Sequence, residues 1–266
     1  MNTLRAYASI FSIRFQALLQ YRAVAFAGLV TQFFWGLMLV MIYQAFYRST
    51  TRAQPIDIAE VITYVWLGQA FLVMLPWNND PELAALMRNG NIAYELLRPL
   101  DLYTFWYVRC AALRTAPMLL RAVPMFIITG LFFHLRAPAS LAATGAWLAA
   151  MLGALLLGCA ITMLTSISLL WTVAGDGFTM LVVSSVTLLS GMIIPLPLFP
   201  AWAQTPLRLL PFSGLLDAPF RLYLGHLPPS ALAGVLARQL LWTAVLIVGG
   251  RLILARGMKR LVVQGG

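Results

Sequence analysis

From Leu141 to Trp171 the chain runs without a single Asp, Glu, Lys or Arg. As a helix rising about 1.5 Å per residue, such a run outreaches the ~30 Å hydrocarbon core of a bilayer, so it must tilt or protrude. The remaining composition points the same way. Of 266 residues 61% are hydrophobic and 10% are charged, whereas a soluble domain is about half apolar. The fold class this defines is all-α, a polytopic membrane protein, because helices satisfy their own backbone polar groups in lipid.

Further spans are expected over about Ala23–Phe46, Ala59–Trp77, Thr115–Phe133, Phe178–Ile194 and Leu232–Leu254. With the long uncharged run they make six. That leaves no length for an extra globular domain, and 1–266 reads as a single transmembrane domain. Residues 1–22 lack the apolar core of a secretory signal. Their apolar positions, from Leu4 through Tyr7, Phe11 and Phe15 to Leu18, recur at helical spacing. The segment is expected to lie in the interface, with Arg5, Arg14 and Arg22 reaching lipid phosphates or water.

The formal charge of +10 does not imply nucleic acid, since no basic stripe is interleaved with exposed aromatics. It fits cytoplasmic loops instead. With the N-terminus inside, eleven Lys and Arg residues fall on the cytoplasmic side. Six (Arg48, Arg52, Arg136, Arg208, Arg221 and Arg238) fall outside. This bias predicts both termini in the cytoplasm of a bacterial inner (plasma) membrane protein. Cys110 and Cys159 lie in apolar runs and read as small buried hydrophobes.

Between the second and third spans lies a polar island at 79–101. Asp80 is placed to cap a short helix that begins at Pro81 and stops at Asn89-Gly90. Leu83, Leu86 and Met87 would share one face of it. A second short helix over IAYELLRPL must end before Pro99. Such a pair is either a docking element or two helices lying flat on lipid, and the residues alone leave both open.

Four further features carry possible chemistry. Arg121 lies inside the third span, seven residues from Arg114 and on the same face. It either snorkels to the inner phosphates or binds an anionic cargo or lipid. Phe34 and Trp35 in the first span line a path, meet a partner or face lipid. Asp176 is placed to cap the fifth span. Pro195, Pro197 and Pro200 open a proline-rich segment, 195–229, that cannot continue as one helix. It is expected to form short re-entrant helices closing the path from outside.

No catalytic constellation is present. His134 and His226 are far apart in sequence and form no metal-ligand cluster, so no metal site is expected. The only lysine, Lys259, follows Met258, so no GxxxxGK[ST] phosphate loop exists. An ion- or proton-coupled secondary transporter is the alternative class, with Glu60 as its nearest intramembrane carboxylate.

The stretch GNIAYELLRPLD (90–101) and the passage LSGMIIPLPLFPAWAQTPLRLLPF (189–212) resemble permease subunits of ABC-2-type, or type V, exporters. The match is to the branch often encoded as paired permeases beside one ATPase. The resemblance implies a permease dimer, identical or paralogous, surrounded by membrane lipids and coupled to an ABC ATP-binding subunit. ATP and Mg would sit on that partner, with no cofactor bound here. Carried over by position, the coupling residues are Glu82, Arg88, Gly90, Glu95, Arg98 and Asp101. The implied cargo is an amphipathic compound such as a drug, antibiotic, natural product or lipid. Arg114, Arg121, Phe34 and Trp35 are its candidate contacts, and Pro195, Pro197 and Pro200 the extracytoplasmic gate.

Overall fold

The computed structural model describes residues 3–88, 92–171 and 176–259, leaving aside the side chains of Arg88, Ala93, Tyr94 and Asp176. Among these residues there is no strand. The helices are α1 (Thr3–Leu19), α2 (Arg22–Ser49), α3 (Ile58–Ala70), α4 (Pro81–Arg88), α5 (Ile92–Glu95) and α6 (Leu102–Phe133). They continue as α7 (Leu141–Ser168), α8 (Asp176–Leu189), α9 (Ala201–Leu209), α10 (Asp217–Leu224) and α11 (Leu232–Met258). Four of these are long and apolar enough to cross a membrane: α2, α6, α7 and α11 with the turn before it.

The expected second and fifth spans are shorter than the sequence suggests. Helix α3 ends at Ala70 and passes through a 3-10 turn, Leu72–Met74, into extended backbone at Leu75. Pro76 accounts for the extended backbone at Leu75, because a residue before proline avoids helical geometry. Helix α8 ends at Leu189, and Gly191 turns the chain with φ +89°. The approach to the third span is not a separate helix. Helix α6 runs unbroken from its Asp101 cap to Phe133 with Pro117 and Pro124 inside it.

Helix α7 is the most buried of the four long apolar helices, and α6, α10 and α11 pack around it. The larger apolar cluster joins Trp66, Phe71, Trp147, Leu157, Phe220 and Tyr223. A second cluster gathers Leu83, Met87, Ile92, Phe105, Trp106 and Ile167 around the start of α6. Small residues allow the close contacts. A Cβ on Gly158 would lie 3.0 Å from the Met74 carbonyl oxygen, and one on Gly153 would lie 2.2 Å from Gln239 Oε1. Gln239 uses that space to donate to the carbonyls of Ala150 at 2.9 Å and Gly214 at 2.8 Å. Helix α1 packs along α6.

Candidate functional site: a clamped helical element and a polar-floored slot

Asp80 caps α4, its Oδ1 accepting from the Glu82 amide at 2.9 Å and the Leu83 amide at 3.4 Å. The cap itself is held. Arg109 of α6 reaches Asp80 Oδ2 at 3.3 Å and Glu82 Oε2 at 2.7 Å. Arg14 of α1 meets Glu82 Oε1 at 2.6 Å. Arg14 therefore turns toward α4, where sequence reasoning expected it to reach phosphate or water. The nearby guanidinium of Arg14, then that of Arg109, holds the Glu82 carboxyl below the usual carboxylate range. Leu83 and Met87 are buried beneath α4, and Leu86 is half-buried.

The second short helix is a single turn, Ile92–Glu95, followed by a turn at Leu96 and Leu97. Glu95 is buried and bonded to Arg98 at 3.2 Å. Arg98 also lies over the Phe105 ring, 4.9 Å from its centroid. Asp101 caps α6 by accepting from the Thr104 amide at 2.9 Å, and it accepts from Arg251 of α11 at 2.8 Å. Its own amide donates to Tyr7 Oη at 3.2 Å, tying α1 to the same point. Glu82, Glu95 and Asp101 are thus engaged within the chain, and Gly90 and the Arg88 side chain lie outside the described residues. What this element offers outward is Leu96, Leu97 at 80% exposure, and Arg98. The leucine pair was missed in the sequence because apolar residues in so greasy a chain carry no contrast.

Arg114 is 2% exposed. Its guanidinium donates to the carbonyls of Val73 at 3.2 Å, Leu75, and Asn78 at 2.6 Å, and to Thr162 Oγ1 at 3.0 Å. These carbonyls are the ones left over where α3 breaks, and the bonds satisfy them without water. Asn79 extends the arrangement, accepting from Thr165 and Ser166 of α7 and donating to Thr179 of α8. Both terminal nitrogens of Arg114 are therefore engaged by its own chain.

Beside it lies an open-sided slot of about 1060 Å³ between α2, the end of α3, α6 and the end of α8. Arg121 and Trp35 line it, while Phe34 is 61% exposed and is not part of the lining. Arg121 packs against Gly28 of α2, where a Cβ would lie 2.2 Å from its Cζ.

At the opposite end, Glu60 and Asp57 form a reciprocal cap on α3, and both bond Arg136 just beyond α6, at 3.0 and 2.6 Å. His226 lies 3.3 Å from Glu60. Glu60, the carboxylate a secondary carrier would use, is committed to this structural network. His134 adopts a left-handed backbone at the end of α6. Past Gly191, Pro195 and Pro197 bound and enter the 3-10 turn Leu196–Leu198, and Pro200 precedes α9. The turn and α9 share a small apolar cluster of Leu196, Ala203 and Leu207. Trp202 projects from α9 at 81% exposure. The Asp176 side chain lies outside the described residues.

Apolar spanning helices, a short helical unit locked to them by ion pairs, and a broken-helix segment at the far end define a multi-pass helical transport protein of the membrane. The family described as "ABC-2 family transporter protein" matches residues 33–265. The chain belongs to that family, and it is an ABC-type transport permease. Permeases of this family normally work with an ABC ATP-binding subunit. No curated protein and no solved structure matches the chain.

Proposed function

We propose that this chain is the transmembrane half of an ATP-driven exporter in a bacterial inner membrane, moving an amphipathic compound outward. Residues 1–266 act as one permease domain that crosses the membrane six times, with both termini inside. Two such subunits, identical or paralogous, enclose the path. Two ATP-binding partners bind ATP and Mg and drive it.

The observation that carries this reading is the anchoring of α4 and α5. A loop lying passively on lipid has no need of ion pairs to two different helices, yet Glu82 is held by both α1 and α6. Force applied to the exposed tip at Leu96, Leu97 and Arg98 therefore passes into the ends of α1 and α6. An exposed leucine pair beside a cation suits an apolar groove with an acidic rim on the ATP-binding partner. Arg88, Gly90, Glu95 and Asp101 complete the coupling segment.

The six-pass arrangement is supported by what each end of the short spans touches. The start of α3 bonds Arg136 at one end of α6, whereas Asp80, only a few residues past α3, bonds Arg109 near the other end. Helix α8 begins near Thr179, bonded to Asn79. Past its far end, the Ile193 carbonyl accepts from Tyr43 at 2.6 Å. At that end Pro195, Pro197 and Pro200 hold the re-entrant turns that serve as the outer gate.

Purification of the tagged permease from its native membrane, with identification of any ABC ATPase that accompanies it, tests the reading. Wild type should retain the ATPase, and Leu97→Asp or Arg98→Glu should lose most of it while remaining a monodisperse membrane protein. Full retention by both variants would place the contact elsewhere, and absence of any ATP-binding partner would remove the ATP-driven reading.

A further inference from the structure

The slot beside α2 has apolar walls and a few charged side chains. Trp35, Leu39, Leu72 and Leu120 supply apolar surface. Arg14, Arg114 and Arg121 supply three cations against the single carboxylate of Glu82. Two of those cations are used. Arg14 is paired with Glu82, and Arg114 is bonded to three carbonyls and a hydroxyl. Among the described residues no acceptor or carboxylate pairs with the Arg121 guanidinium, whereas those of Arg14 and Arg114 each have partners.

Arg121 lies inside the long helix α6, where an arginine must meet protein, water or a lipid headgroup. Its guanidinium lies across the slot against Gly28, six residues into α2 and so about 9 Å from the start of that helix. The missing side chain at Gly28 makes that position possible. One turn further along the same face is Gln32, 3% exposed, with both amide atoms lacking a partner. Gln69, 1% exposed, lines the slot from α3 with its Oε1 equally unpartnered. Buried amides without partners are rare in a settled core, and three polar groups left open around one space indicate a missing occupant.

The shape indicates what kind. Lining residues on α2 run from Val24 to Leu39, a length of roughly 22 Å at the helical rise. That is about three quarters of the thickness of the hydrocarbon core, about 30 Å. A long narrow space with a fixed cation near its inner end and apolar walls beyond it fits a chain with an anionic head. Because arginine stays protonated under all ordinary conditions, the head must bring the negative charge.

We propose that the slot binds an anionic amphiphile, a carboxylate or phosphate head on Arg121 with Gln32 donating beside it, and an acyl-type tail along Trp35 toward Leu39. The inference deepens the proposed function by naming the chemical class of the amphipathic compound. It rests on that reading only for the step from binding to transport. The head enters from the inner leaflet past the Arg14–Glu82 pair, which stands at the slot's cytoplasmic mouth.

The test uses the purified full-length permease in neutral detergent, with dibromostearate as probe and its uncharged methyl ester as control. Bromine quenches tryptophan emission on contact, and Trp35 lines the site. The acid should quench saturably, Trp35→Phe should reduce that component and Trp35→Phe with Trp77→Phe should remove it, and the ester should bind at least tenfold more weakly. Arg121→Gln should weaken the acid at least tenfold and abolish its advantage over the ester, whereas Arg121→Lys should retain part of it. Gly28→Val displaces the guanidinium without altering charge and should also weaken binding. Equal binding of acid and ester to wild type, or unchanged binding in both Arg121→Gln and Gly28→Val, would overturn the proposal. Competition by phosphatidylglycerol would support the site as one for a membrane lipid, and resistance to it would support a single-chain cargo. No step needs ATP, so loss of the partner ATPase leaves this result intact, and failure to bind leaves the permease reading intact.

Discussion

Arg114 and Arg121 differ by two helical turns and by everything around them. The first has four acceptors supplied by the break after α3 and by α7, and its removal strands buried carbonyls that have no water to replace it. Arg114→Ala should therefore destabilise the protein by about 3 kcal/mol or more, read as a lowered midpoint of thermal unfolding in detergent. Arg121→Ala breaks no such bonds and should leave that midpoint close to wild type. Glu82 gives a pH dependence of definite sign. Its carboxyl is held low by Arg14 and Arg109, so the folded chain gives up that proton more readily than the unfolded one. The clamp is complete above the unfolded carboxyl value of about 4.5 and weakens as pH falls through the lower folded value. The protection of the α4 amides against hydrogen exchange, taken relative to their intrinsic rates at each pH, should fall on acidification below that point. With Arg14→Gln the fall should begin at higher pH.

Among the elements, those set by local chemistry were legible in the sequence. Asp80 before Pro81 announces α4, and the uncharged run after Ser140 announces α7. The break after Ala70 carries a local sign in Pro76, but hydropathy averaged across the span conceals it. The role of Arg114 had no local sign, because its acceptors lie 36 to 48 residues away in sequence. The same holds for the slot, which exists only once α2, α3, α6 and α8 are brought together. The turn after α8 depends on a glycine in the left-handed region. A Cβ at Gly191 would lie 2.4 Å from Tyr64 Oη, and that hydroxyl stands 3.5 Å from the buried Asp217. Gly191→Ala should therefore cost at least about 1 kcal/mol in backbone conformation alone, with added strain from Tyr64. A reduced unfolding midpoint and faster proteolysis between α8 and α10 are the expected readouts.

Across the whole molecule, the two ends of the helical bundle have different chemistry. One end gathers Arg14, Asp80, Glu82, Asp101, Arg109 and Arg251 into ion pairs that bind α1, α4, α6 and α11 to one another. The other gathers Asp57, Glu60, Arg136 and His226 around the outer loops. In the proposed six-pass topology the segment that joins the two ends is α3 with its 3-10 extension, although α3 is too short to span as one helix. This makes the six-pass topology testable against a four-pass one in which only the long helices cross. Cys110 and Cys159 are buried, so a membrane-impermeant maleimide should find no native target in the folded protein. In the six-pass arrangement, Arg52→Cys should label in intact spheroplasts, and Leu97→Cys should label only after the membrane is permeabilised. A four-pass chain puts both positions on the same face, since nothing between α2 and α6 would then cross. Labelling of Leu97→Cys from outside would exclude docking on a cytoplasmic ATPase at that tip, whatever the family of the chain.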